Sequence, residues 1–332
     1  MTIRCLFHSY LLIPLYLVGI ITMMGCGSTS SQASLDNPTE SLDTPVIGPG
    51  VRALLASRFE TLDDLKKVVE LDYFNQSLES DTVVKAGAGV RLNYRAETGS
   101  LSSTLTTGVS QEDFIRSRDG GLWEKFNLIL LTPYAVSNRY DLNKVYKLSR
   151  RRPAYFGEGD VAFFDLAETS VRNITTPKLA YQNERDSSEK GFLNTFNHVT
   201  AQAFMTTFFS EELADFVAVV HERHNMPELI TGRFTEAQLV DPNNNPIDNY
   251  VDIVNNEVGQ LLGNLLKEKY QINRETQWTP ELLANYLNDL QRYYSWSFGI
   301  GFKPYRPSDE VVIRFAGKLQ IANAGLPFKE EL

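Results

Sequence analysis

The stretch that decides the fold is DNYVDIVNNEVGQLLGNLL, residues 248–266. On an α-helix, residues three and four apart share a face, and one face of this stretch collects Asp248, Asp252, Asn255, Asn256, Gly259, Leu262, Gly263 and Leu266. That face is acidic and amide-bearing at its N-terminal end and small or apolar at the other end. Gly259 and Gly263 permit a neighbouring helix to approach closely because glycine lacks a Cβ atom. We therefore predict that this face points into a helical bundle and carries Asp252 and Asn256 into its interior.

A second polar pair lies on the helix predicted for residues 192–209. Asn194 and His198 are four residues apart, so they share one stripe of that helix. The rest of the segment is apolar on nearly every side, which is typical of a buried helix. Asn194 and His198 are thus predicted to be buried polar groups that must find hydrogen-bond partners.

The other histidines lie near the end of the helix predicted for residues 211–224. The apolar stripe of this helix continues to His224 and has His221 at its flank, while Glu222 lies about 100° further round. The chain holds only four histidines, and His8 belongs to an N-terminal segment that we expect to be removed. The three remaining histidines therefore fall on these two helices.

Imidazole and carboxylate groups on facing helices are usual ligands of metal sites in bundles. We predict a divalent metal ion bound by His198, His221 and Asp252. In this hypothesis Glu222 and His221 are the catalytic residues, with Glu222 as general base for a water molecule that the metal polarises. Four further side chains would orient these groups or the substrate: Asn194, His224, Asn255 and Asn256. The alternative interpretation is a fully hydrogen-bonded polar network that fixes the register of the helices.

At these residues the chain resembles an uncharacterised bacterial helical domain that carries N-x-F-x-H, H-E and D-x-x-N-N-x-x-G elements in this order. The matching segments are NTFNH (194–198), HE (221–222) and VDIVNNEVG (251–259), so the resemblance covers about residues 190–265. It implies a shared polar site at Asn194, His198, His221, Glu222, Asp252 and Asn256, and it brings no established activity. The chain departs from the domain's pattern at Asn197, where a basic residue is usual, and at Val254, where histidine is frequent. If these two positions bind substrate in the relatives, the departures imply a different substrate here.

Hydropathy patterning predicts an α+β fold that is mainly α, with a buried helical bundle and flanking antiparallel strand segments. Helices are predicted at residues 51–71, 159–173, 192–209, 211–224, 247–270 and 279–294. Strands are predicted at residues 90–96, 122–131, 296–302 and 313–321, where apolar residues alternate with polar ones or an apolar run follows a turn. The chain then divides into a helix plus strand-rich region at 51–158, a helical domain carrying the polar site at 159–294, and C-terminal strands at 295–332.

The N-terminus has the pattern of a bacterial lipoprotein signal. One positive charge at Arg4 precedes an apolar run, and Met23-Met24-Gly25-Cys26 ends in a small residue and a cysteine. We predict a signal peptide at residues 1–25, lipidation of Cys26, and a flexible tether rich in Ser, Thr, Pro and Gly at residues 26–50. The alternative is an uncleaved anchor helix, since roughly 20 apolar residues can span a bilayer.

Lipidation of Cys26 predicts a protein of the cell envelope that is attached to the membrane through acyl chains. Gly27 rather than Asp follows the cysteine, which favours the outer membrane if the host has one. The chain holds only two cysteines, and Cys5 would leave with the signal. Disulfides, cysteine-ligated zinc and cysteine nucleophiles are therefore not expected.

A formal net charge of −9 argues against nucleic acid as the partner. The leading prediction is a metal-assisted hydrolase that acts on an envelope or extracellular ester or phosphodiester. A non-catalytic envelope lipoprotein with a structural or protein-interaction role is the second interpretation. A third is a Ca²⁺ or small-ligand module that uses the Asn-rich loop 241–252, although Pro246 occupies the position where a calcium loop needs glycine.

Overall fold

The fold is α+β and mainly α, as predicted. A computed structural model describes residues 50–75, 88–96, 99–231, 234–240 and 246–324. Its sheet has three antiparallel strands in chain order: β1 (Val69–Asn75), β2 (Ala88–Ala96) and β3 (Gly99–Thr106). The pairing places Leu71 opposite Leu92 and Leu92 opposite Ser103. The strand predicted at residues 90–96 is therefore confirmed as β2.

The helices occupy most of the chain. They are α1 (Leu62–Lys66), α2 (Gln111–Asp119), α3 (Leu122–Leu131), α4 (Pro133–Ser137), α5 (Arg139–Leu148), α6 (Pro153–Phe156), α7 (Phe163–Arg172), α8 (Pro177–Ala180), α9 (Asn194–Phe208), α10 (Glu211–Asn225), α11 (Glu228–Thr231), α12 (Glu236–Val240), α13 (Pro246–Lys269), α14 (Pro280–Phe298) and α15 (Glu310–Asn323). The helices predicted at 159–173, 192–209, 211–224, 247–270 and 279–294 are confirmed as α7, α9, α10, α13 and α14.

The centre of the bundle is the contact between α9 and α13. A Cβ atom added to Gly259 would lie 2.7 Å from the backbone oxygen of Val199, and one added to Gly263 would lie 2.6 Å from that of Ala203. Neither separation leaves room for a side chain, so the two backbones touch at both glycines. Residues of the predicted face, such as Leu262 and Leu266, are fully buried. The predicted inward face of residues 248–266 is thus confirmed.

The helix predicted at residues 51–71 is wrong. The structure has a short 3₁₀ turn at Ala56–Arg58, then α1, and then strand β1 from Val69. Thr61 caps α1, since its hydroxyl accepts from the Asp64 N–H at 3.2 Å while the Asp64 carboxylate accepts from the Thr61 N–H. The cap starts a new helix inside the predicted one, and alternation from Val69 onwards then favours a strand.

The strand predicted at residues 122–131 is wrong as well, because this segment is helix α3. A continuous apolar run cannot distinguish a buried strand from a helix by its period. Here the residues are mainly good helix formers, four of them leucine. None of the ten residues of α3 is buried.

The C-terminal strands predicted at 296–302 and 313–321 are also wrong. Helix α14 continues to Phe298 and ends at Gly299, whose φ of 68° lies in the left-handed region that favours glycine at a helix C-terminus. The second segment lies in α15, where Val312, Phe315 and Leu319 are buried at a spacing of three and four. This is the helical period, and an isolated antiparallel bridge between Ile174 and Phe302 takes the place of the expected strand pairing.

One hydrophobic core joins buried side chains from Val51 to Ala322. The sheet lies against α13, where the Ser103 hydroxyl donates to the Glu257 carboxylate at 2.6 Å. In the part of the chain that the structure describes, no helix has the length and apolar character needed to span a bilayer. The predicted signal peptide, Cys26, the predicted tether before Gly50 and residues 241–245 of the predicted calcium loop lie outside the described residues.

Candidate metal centre

Three side chains from three helices converge at the N-terminal half of the α9–α13 contact. His198 of α9, Glu222 of α10 and Asp252 of α13 each offer one ligand atom, and these atoms lie within 4.8 Å of one another. The His198 Nε2 atom is 3.3 Å from the Asp252 Oδ2 atom. We call these three residues the His–carboxylate cluster.

Asn256 of α13 holds two members of the cluster at once. Its Oδ1 atom is 2.9 Å from the His198 Nδ1 atom, and its Nδ2 atom donates to the Glu222 Oε1 atom at 3.1 Å. Because the amide oxygen can only accept, we assign the proton of the imidazole to Nδ1. His198 therefore turns the lone pair of Nε2 towards Asp252.

Asn194 of α9 donates a hydrogen bond to Asp252, as Asn256 does to Glu222. Its Nδ2 atom donates to the Asp252 Oδ1 atom at 2.7 Å and lies 3.3 Å from the Asp248 Oδ1 atom. The Oδ2 atom of Asp252 thus remains directed at His198. Asp248 also forms an ion pair with Lys190, at the edge of the cluster.

Burial shifts the pKa of every member of the cluster towards the neutral form. Burial, together with the charge of Asp248, raises the pKa of Glu222 to about 8. It raises the pKa of Asp252 well above its ordinary value, to which Asp248 and Glu222 add, and it lowers the pKa of His198. Without a cation, the geometry fits a protonated Asp252 that donates to the His198 Nε2 atom. Ionising both buried carboxylates side by side costs free energy, and a bound cation would offset that cost.

A small pocket reaches the cluster from the sheet side, between β3, α10 and α13. Its wall includes Glu222 and Asn256 together with Ser103, Asp215 and Glu257. The space open to the centre of a water molecule is about 10 Å³, which is room for roughly one water. The pocket thus places a water-sized space beside one carboxylate of the cluster.

His221, predicted as a ligand and catalytic residue, is not a member of the cluster. Its ring centre is 6.4 Å from that of His198, and its Nδ1 atom is 3.1 Å from the Gln111 Oε1 atom of α2. Burial, together with the charges of His198 and His224, lowers the pKa of His221 to about 3. The prediction had His221 facing inward and Glu222 at the edge of the site, whereas in the structure Glu222 is buried and His221 is only partly buried.

His224 and Asn255 also lie away from the cluster, although both were predicted to orient it. His224 is exposed near the end of α10. Asn255 is fully buried, but its amide pairs with the backbone of Leu54, accepting from the N–H and donating to the carbonyl at 2.9 Å each. Its role is to hold the N-terminal segment on α13.

Lys190 and Gln111 were missed by the sequence analysis. Asp248 was recognised on the inward face of α13, but its ion-pair partner Lys190 lies just before α9, outside any periodic pattern. Gln111, the first residue of α2, gave no signal because the partner that makes it important, His221, is 110 residues away.

No protein-family model, no curated protein and no solved structure matches the chain. The resemblance to an uncharacterised helical domain therefore stays a prediction.

Proposed function

We propose that the protein is a lipoprotein of the cell envelope whose helical bundle binds a divalent metal ion and hydrolyses an ester or phosphodiester of an envelope or extracellular substrate. One observation carries this proposal. Each of the three residues of the His–carboxylate cluster has one heteroatom held by an amide of Asn194 or Asn256 and a second heteroatom left for a ligand. Such outer partners are typical of metal sites, where they fix the tautomer and orientation of the ligands.

The distances in the cluster suit a small divalent ion. Ligand atoms about 2.1 Å from a tetrahedral metal are roughly 3.4 Å apart, and the Nε2 to Oδ2 distance between His198 and Asp252 is 3.3 Å. Glu222 completes the group within 4.8 Å, so a modest rotation of its carboxylate brings it into range. One imidazole and two carboxylates suit zinc, manganese or iron better than copper or a thiophilic ion.

The proposed ligands are thus His198, Glu222 and Asp252, so Glu222 takes the ligand role first predicted for His221. A metal with three protein ligands keeps a position for water and lowers the pKa of that water. The water-sized space beside Glu222 supports this arrangement. Asn194 and Asn256 hold the ligands, and Lys190 neutralises the third carboxylate, Asp248.

The second candidate function is a non-catalytic envelope lipoprotein in which the same metal stabilises the bundle. The observation that favours it is burial: the side chains of His198 and Asp252 are only 14% and 9% exposed. A substrate would need to enter through the small pocket beside Glu222. The two functions share the metal site and differ in whether that pocket admits a substrate.

The deciding experiment is elemental mass spectrometry of the purified protein and of three variants. We expect near-stoichiometric metal in the wild type and in His224→Ala, which removes an exposed histidine outside the cluster, and at least tenfold less in His198→Gln and Asp252→Asn. Metal-free wild type, even after supplementation, would refute the proposal. Ester and phosphodiester hydrolysis that is lost in the same two variants would separate the enzyme from the structural role.

A further inference from the structure

Helix α3 presents an apolar face to solvent. Five of its ten residues are large, apolar and at least half exposed, and we call them the α3 patch: Leu122, Trp123, Phe126, Leu130 and Leu131. Leu122 is 88% exposed and Leu131 is 67% exposed. Contiguous apolar surface of this kind marks an interaction site in a folded protein.

The α3 patch is ordered along the helix. Leu122, Phe126 and Leu130 follow one another at intervals of four, so they form a single stripe. Trp123 lies beside this stripe and stacks on Phe126, with ring centres 5.9 Å apart. The patch is therefore a continuous strip of about two turns rather than scattered side chains.

We infer that the α3 patch docks onto the surface of a lipid bilayer, with α3 lying in the plane of the interface. This inference rests on the lipid anchor at Cys26 in the proposed function. Helices that bind at the interface bury a face of Trp, Phe and Leu near the acyl boundary. The α3 patch consists of these three residue types alone.

The chain outside the structure is long enough for anchor and patch to reach the same bilayer. From Cys26 to Gly50 are 24 residue steps, which span at most roughly 80 Å when extended. Gly50 lies against Gly99 at the start of β3, whereas α2 and α3 follow the other end of β3. The eight residues of β3 correspond to about 27 Å, well within that span.

The test uses the full lipidated chain in vesicles of phosphatidylethanolamine and phosphatidylglycerol that contain brominated phosphatidylcholine. Bromine quenches only tryptophans that enter the acyl region. Of the three tryptophans, Trp278 is fully buried and Trp296 is partly buried, so Trp123 is the reporter. We expect strong quenching in the wild type and at least a fivefold smaller quenched fraction in Trp123→Phe and in Leu130→Glu.

Ile313→Glu is the matched control, since Ile313 is a half-exposed aliphatic residue of α15. It should be quenched like the wild type. Equal quenching of the wild type and Leu130→Glu would overturn the inference. So would a wild type that shows no quenching and forms a dimer in detergent that Leu130→Glu dissociates, because the patch would then bind a second copy of this chain.

Mass spectrometry of the N-terminal peptide reports on the anchor separately. An unlipidated Cys26 whose protein still shows Trp123 quenching with added vesicles would refute the proposed anchoring and support the docking. Lipidated protein without quenching would refute the docking and leave the anchor intact.

Discussion

Two clusters of buried charge in this molecule differ in where the balancing charge comes from. At one of them, Lys318 of α15 lies inside the protein with its Nζ atom 2.8 Å from the Asp160 carboxylate and 2.7 Å from the carbonyls of Arg150 and Val161. The three donors of the ammonium group meet three acceptors, and both charged side chains are almost fully buried. We call this group the Lys318 cluster.

Within the part of the chain that the structure describes, no lysine or arginine forms an ion pair with Glu222 or Asp252 of the His–carboxylate cluster. Among the described residues, the hydrogen bonds to Glu222 and Asp252 come from the amides of Asn256 and Asn194, and the nearby Lys190 pairs with Asp248. The difference teaches that burial and polarity alone do not mark a functional site. A cluster that supplies its own counter-charge is structural, whereas one that leaves two carboxylates uncompensated is suited to an external cation.

The largest expected effect is at the Lys318 cluster. Lys318→Met should lower the free energy of unfolding by about 3–5 kcal/mol, because it leaves the Asp160 carboxylate buried without its cation. Chemical denaturation measures this loss. Lys67→Met is the control, since Lys67 pairs with Asp64 at the surface, and it should leave the stability nearly unchanged because exposed ion pairs are screened by solvent. A loss below about 1 kcal/mol in Lys318→Met would remove the contrast between the two clusters.

An intermediate effect is expected from pH on the metal-free protein. Burial raises the pKa of Glu222 from 4.5 to about 8, so the folded state retains a proton that the unfolded state loses. The contribution of Glu222 to the free energy of unfolding should therefore be greatest below pH 4.5, fall as pH rises through this window, and level off above 8. His198 and His221, whose pKa burial lowers, contribute in the opposite sense at acidic pH, so the contribution of Glu222 is obtained by comparison with a variant. The loss of this contribution should exceed about 1 kcal/mol, the order of magnitude that corresponds to one pKa unit.

Glu222→Gln should flatten that profile, because glutamine can still accept from Asn256 and does not titrate. Denaturation of chelator-treated wild type and variant at several pH values makes the comparison. Profiles of equal slope would show that Glu222 is already ionised in the folded protein. The same variant should also lose metal, which ties the pH effect to the His–carboxylate cluster.

The smallest effect should come from His221. His221→Phe removes the hydrogen bond to Gln111 and should cost about 1 kcal/mol of stability, with metal content unchanged. His198→Phe, the matched variant inside the cluster, should abolish metal binding. Loss of metal in His221→Phe would restore His221 as a ligand and move the site towards α2.

The helical bundle could be predicted from the sequence because, in a long amphipathic segment, the spacing of the apolar residues shows the helical period directly. The inward face of α13 could be identified from glycine, asparagine and aspartate at helical spacing. Prediction failed where an apolar run was short. The apolar residues at 122–131 and 313–321 are compatible with a strand as well as a helix, and only knowledge of which side chains are buried distinguishes the two.

The candidate site was predicted in part, for a related reason. His198 and Asp252 lie on long helices whose buried faces are obvious, so both positions follow from the sequence. The choice between His221 and Glu222 depends on about 100° of rotation of α10. Contacts distant in sequence accompany the observed rotation, such as those of Arg223, which donates to the carbonyls of Thr106 at the end of β3 and of Val109. Contacts between residues so far apart in sequence cannot be inferred from the spacing of residues along a single helix.

The contact of α9 with α13 at Gly259 and Gly263 fixes how these two helices lie against each other. Because backbone meets backbone there, the helices cannot slide by a turn of about 5.4 Å without a collision. The positions of the two backbones therefore set the distance between His198 and Asp252, and repacking of side chains elsewhere should change it little. For the proposed metal site, the ligands at positions 198 and 252 could thus be exchanged within a fixed frame, because both are carried by these two helices.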